Sequence, residues 1–158
     1  MKTIAIALLA AVVLSACNIE QPNNTVTSYE SDFVPCIKYA PITIGQHTYG
    51  GDANIYLTST GIGITINEVN ANVNTIHIKI SPTQLSGNLA PGQFPIHISN
   101  PTFLLELNYT WAELGLEPTD LVYVYMHFET NLGTGWAGEF KRQGKGQWYY
   151  YSIVDDCN

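Results

Sequence analysis

Apolar and polar residues alternate with a period of two through most of the chain after residue 53. The alternation is cleanest over Gly61 to Val69, where Ile62, Ile64 and Ile66 share one face and Gly63, Thr65 and Asn67 the other. Thr75 to Ser81 repeats it, with Ile76, Ile78 and Ile80 set against His77 and Lys79. Successive side chains of a strand point to opposite faces, so both segments predict strands buried on one side. Ala53 to Thr58 and Phe103 to Tyr109 carry the same signal, Leu121 to Thr130 follows as a further strand, and Ser81 to Pro95 is a long Gly/Pro loop. Trp136 to Phe140 and Gln147 to Val154 are expected to close the fold as a hairpin across Lys141 to Gly146. The one break is Thr110 to Gly115. There Thr110 and Glu113 have the spacing of a capping box, and Gly115 can end a helical turn. About eight strands and one short connecting helix predict an all-β domain, an antiparallel β-sandwich or, alternatively, a partly closed barrel.

The first residues follow another rule. Lys2 supplies a positive charge, Ile4 to Leu14 are apolar, and Leu14-Ser15-Ala16 precede Cys17. This reads as a lipoprotein signal peptide over residues 1–16, with Cys17 as the acylated first residue of the mature chain. The alternative is a signal peptide cut at the same small residues without lipidation. A retained membrane helix needs about 20 apolar residues, more than this stretch has. Residues 17–32, rich in Asn, Thr, Ser and Gln, read as a flexible tether, and 33–158 as the β-domain.

Cysteine parity agrees with lipidation. The chain has three cysteines; with Cys17 acylated, Cys36 and Cys157 remain as an expected disulfide in an oxidising compartment. The alternative is two free thiols held apart. Without Lys2 there are five basic residues against 13 acidic ones, a formal charge of −8. So acidic a surface offers no footprint for nucleic acid and no basic patch for anionic lipid, leaving the acyl chains to anchor the protein. Asn18, not Asp, follows Cys17, which leaves the outer membrane open as the destination.

A further set of stretches is Tyr39 to Gly45, Ser86-Gly87-Asn88-Leu89-Ala90-Pro91-Gly92-Gln93-Phe94-Pro95, and Val122 to Glu129 around His127. Gly135-Trp136-Ala137-Gly138-Glu139-Phe140 and Gln147-Trp148-Tyr149-Tyr150-Tyr151 follow them. In this order they resemble a family of small, uncharacterised all-β domains of secreted and surface-anchored bacterial proteins. Thr134-Gly135-Trp136 departs from that family's Thr-Ala-Trp segment. The resemblance implies a secreted β-domain and carries no catalytic or binding residue with it.

Candidate chemistry is sparse. No Gly-x-Ser-x-Gly elbow and no phosphate-binding glycine loop is present. Glu106 and Glu129 are candidates for a carboxylate pair, but strand carboxylates more often face solvent. His77, His97 and His127 lie in or beside strands without the short spacings of a local metal motif. Asp155-Asp156 is a bare pair and not a calcium loop. No metal, cofactor or catalytic residue is therefore expected. Trp136, Trp148, Tyr149 and Tyr151 are the candidate ligand-binding residues, since aromatic rings on a sheet suit sugar stacking and protein interfaces. Against that stands the ordinary use of such rings as core and cross-strand pairs. The expected function is a non-catalytic, lipid-anchored cell-envelope domain with an interaction or structural role. The alternative is a glycan or small-ligand module working through those aromatics.

Overall fold

The computed structural model describes residues 36–102, 104–144 and 147–154, without the side chains of 143–149. The expected signal peptide, lipidation site Cys17 and tether lie outside the described residues, as do Phe103, Cys157 and the side chains of Trp148 and Tyr149.

Ten strands are described: β1 Ile37–Ile44, β2 Thr48–Thr58, β3 Gly61–Val69, β4 Val73–Ser81, β5 Ile96–Ser99, β6 Leu105–Thr110, β7 Val122–Thr130, β8 Gly133–Ala137, β9 Phe140–Gly144 and β10 Gln147–Val154. Eight form one continuous antiparallel path, β5-β4-β7-β8-β1-β2-β3-β6, curled into a half-barrel. Of the two forms expected, the partly closed barrel describes it. A two-sheet sandwich does not, because hydrogen bonding is continuous from β5 to β6. Register irregularities between Ile42 and Thr43, Asp52 and Ala53, and Val73 and Thr75 interrupt the ladders, and such bulges bend a strand and increase its twist. Gly51 sits at one of them with φ +125°, where a Cβ would meet the backbone oxygen of Glu68 at 2.0 Å.

The concave face is the main core. Ile42, Ile55, Ile64, Ile78, Val124 and Phe128 are fully buried there, each the inward member of an alternating strand. Burial of each such side chain contributes about 1.5–3 kcal/mol. Between β6 and β7 the short helix α1, Trp111–Leu114, is closed at its start by the Thr110–Glu113 capping box and at its end by Gly115 at φ 64°. Its Trp111 turns inward to plug the core.

The last third differs from the expected hairpin. The tight turn lies at residues 131 and 132, and Gly133 to Ala137 return as β8 beside β7, carrying Trp136 into the main path. The terminal hairpin is instead β9 with β10, and β10 leaves β9 to pair Ser152–Val154 with the start of β7. Gly138 allows that crossing: at φ +145°, its Cβ would lie 2.3 Å from the Tyr151 carbonyl carbon. A second core, of Leu89, Phe94, Tyr125, Trp136 and Tyr151, consequently forms on the outer face of β7 and β8.

A candidate site on the outer sheet face

Along β7 the inward residues are Val122, Val124, Met126 and Phe128, so Tyr123, Tyr125, His127 and Glu129 point the other way. In β4 the same parity sends His77 and Lys79 outward beside them. β5, short and at the edge of the sheet, was not expected from the sequence, although Ile96 and Ile98 alternate there with His97 and Ser99.

The register joins these positions. His97 pairs with His77, His77 with His127, and His127 with Trp136. Four neighbouring strands thus place three imidazoles and an indole in one transverse row. Residues directly opposite on antiparallel strands hold their Cβ atoms about 4.5–5.5 Å apart, close enough for rings to touch. His97 meets His77 edge-on with centroids 4.6 Å apart, His77 and His127 are 5.8 Å apart, and His127 meets Trp136 edge-on at 4.8 Å.

Glu129, two residues along β7 from His127, completes the group. The His77 Nε2–H donates to its Oε1 at 3.2 Å. A carboxylate only accepts, so the Nδ1 of His77 then presents a lone pair. Among the described residues that atom is buried with no hydrogen-bond partner, as are the Nδ1 of His127, the Nε1 of Trp111 and the Oγ of Ser152. Leaving such an atom unsatisfied costs roughly 1–3 kcal/mol, and the two imidazole nitrogens belong to residues paired across β4 and β7. Burial lowers the pKa of His127 to about 4; the neighbouring His77 adds to the shift and Glu129 opposes it. Its imidazole is therefore neutral at physiological pH, the form that donates a lone pair to a ligand.

Exposure is graded along the row. His77 and His127 are 3% and 7% exposed, whereas His97 and Glu129 reach solvent. Phe94 of the 82–95 loop covers the other end, its ring 6.3 Å from Trp136. The Leu85 amide of that loop donates to the Tyr125 hydroxyl at 2.8 Å, tying the cover to β7. One ligand atom from each of His77, His127 and Glu129 lies within 4.8 Å of the others, so these three can hold a metal ion together.

The expected aromatic site fares differently. Trp136 is 5% and Tyr151 8% exposed, and both belong to the second core. Tyr151 stacks on Tyr125 and Phe140 with centroids 5.5 and 5.6 Å away. These two rings are therefore packing residues and not a stacking platform for a ligand. Glu106 and Glu129, weighed together in the sequence, lie on β6 and β7, far apart along the sheet path. The sequence offers these three histidines as metal candidates but no spacing that joins them; they are 20 to 50 residues apart, and strand pairing brings them together. Comparison with family models, curated proteins and solved structures finds no match for the chain.

Proposed function

We propose that the chain is an exported, lipid-anchored and non-catalytic domain of the cell envelope that takes a ligand on the outer face of β4, β5, β7 and β8. The observation that carries the ligand reading is the row His97–His77–His127, in which two buried imidazoles keep an unpartnered nitrogen. The anchoring rests on Lys2, the apolar run to Leu14, and Leu14-Ser15-Ala16-Cys17.

The reading includes a disulfide between Cys36 and Cys157. Cys36 is buried just before β1, and β10, which ends three residues before Cys157, packs against β1 and β2. Such a bridge closes a loop of about 120 residues and stabilises by roughly 4–5 kcal/mol in the chain-entropy model. A glycan reading on the terminal hairpin retains only Trp148 and Tyr149 as candidates.

Two measurements test this together. Cys17→Ala is expected to leave unacylated protein outside the membrane fraction. Thermal melting of the purified protein against divalent metals, haem and glycans is expected to find a stabilising ligand, with the shift lost in His127→Ala. A ligand at 100 times its Kd adds about 2.7 kcal/mol, a readily measured shift. Unchanged membrane partition of Cys17→Ala contradicts the anchor. Ligand shifts that ignore His127→Ala contradict the site.

A further inference from the structure

We infer that His77, His127 and Glu129 form a binding site for a divalent transition-metal ion of the zinc class, with His97 on the edge strand as the fourth ligand. This rests on the ligand-binding reading of the same face and names its ligand. Three observations meet here.

The first is spacing. Zinc takes nitrogen and oxygen ligands at about 2.0–2.2 Å, so two ligand atoms on a tetrahedral ion stand about 3.4 Å apart. One ligand atom from each of His77, His127 and Glu129 already lies within 4.8 Å of the others.

The second is the buried nitrogens. Both His77 and His127 have a buried Nδ1 with no hydrogen-bond partner among the described residues. An imidazole buried for packing alone ordinarily satisfies both ring nitrogens; one that keeps a lone pair in reserve suits an electrophile.

The third is the donor set. Two or three imidazoles and one carboxylate suit zinc and its first-row neighbours, whereas calcium and magnesium demand oxygen ligands. The carboxylate also offsets part of the ion's charge. Access is built in, because Glu129 is half exposed and His97 lies open on β5, so the ion enters from the edge of the sheet. Trp136, packed against His127, seals the opposite end and makes the site self-reporting.

The test is an equilibrium titration of the full-length protein, purified in detergent and stripped by chelator, with Zn²⁺ alone, followed by calorimetry. Co²⁺ serves as the spectroscopic probe. One ion per chain is expected, with the intense visible bands of four-coordinate Co²⁺. His77→Ala and His127→Ala should each weaken binding more than about 100-fold, and Glu129→Gln or His97→Ala about 10-fold or more. His47→Ala, in the exposed β1–β2 turn, should leave it unchanged. Should a histidine variant fail to fold, Glu129→Gln and His97→Ala at the exposed ligands carry the test. Zinc that binds His77→Ala and His127→Ala as tightly as the parent overturns the site. No binding of zinc to the stripped parent also overturns it. In that event a glycan or haem shift lost in His127→Ala keeps the ligand-binding face, and the absence of any such shift removes both.

Discussion

The two halves of the curled sheet bury the same inner face but treat their outer faces differently. Across β1, β2, β3 and β6 the outer face is wet. Tyr39 and Tyr49 are exposed, Tyr56 reaches over Gly63 toward Glu106 and Asn108, and Asn67 bonds Asp52 at the surface. Across β4, β7 and β8 the outer face is dry, roofed by the 82–95 loop and by β10. A polar side chain on the wet half satisfies itself with water at no structural cost. The same parity position on the dry half, His77 or His127, must find a partner in the protein or in a ligand. Sheets buried on both faces are therefore where an outward-pointing polar residue carries information. In the wet half it reports only solubility.

Truncations test that contrast most strongly. Trp136→Ala, on the dry outer face, is expected to cost about 3–5 kcal/mol in urea unfolding, as for a core aromatic. Tyr49→Ala, on the wet outer face, should change stability by no more than about 0.5 kcal/mol. Comparable small losses at both positions would erase the distinction between the halves.

A pH series on the metal-free protein sharpens it. The folded state holds the His127 pKa near 4, below the ordinary value of 6.5. Between those values the unfolded chain binds a proton that the folded chain refuses, so stability rises with pH across this window. Acidification through it should cost on the order of 2–3 kcal/mol and then level off, with the slope reduced in His127→Gln. A pH profile that His127→Gln leaves unaltered would mean that the row is more open to water than its burial implies.

The smallest effect belongs to the roof. Tyr125→Phe removes the hydroxyl that accepts from the Leu85 amide and should cost about 1–2 kcal/mol. Amide exchange in the 82–95 loop should quicken in the same variant. Unchanged exchange would show that the loop is held by its other contacts, the apolar ones of Leu89 and Phe94 and the hydrogen bonds of Gln84 to Tyr151 and of Arg142 to the Leu85 carbonyl.

The parity of β3 and β4, the existence of β7 and the capped turn at Thr110 were legible in the sequence, since each is a local pattern of a few residues. Less was legible where a strand's partner decides its role. Trp136 sits close to the terminal hairpin in sequence yet pairs with His127, because Gly133 to Ala137 turn back along β7. Ile96–Ser99 is too short to announce itself and becomes a strand by pairing with β4. The three histidines stood out in the sequence as metal candidates, but their association did not, for the same reason. His77, His97 and His127 have no motif spacing, and nothing local says that β4 lies between β5 and β7. The aromatic run 148–151 drew attention as a ligand surface, but Tyr151 is taken up by packing against Tyr125.

The central claim is that the outer row is a built ligand site, and the ring nitrogens themselves report on it most directly. Long-range proton–nitrogen spectra of the four imidazoles, recorded on the chelator-treated protein and again after Zn²⁺ addition, separate them in one experiment. The account predicts that His127 stays neutral at mildly acidic pH, and that zinc moves the nitrogens of His77, His127 and His97 while leaving His47 in place. A His127 that titrates near the ordinary 6.5, together with zinc shifts spread equally over all four rings or absent from them, would contradict it.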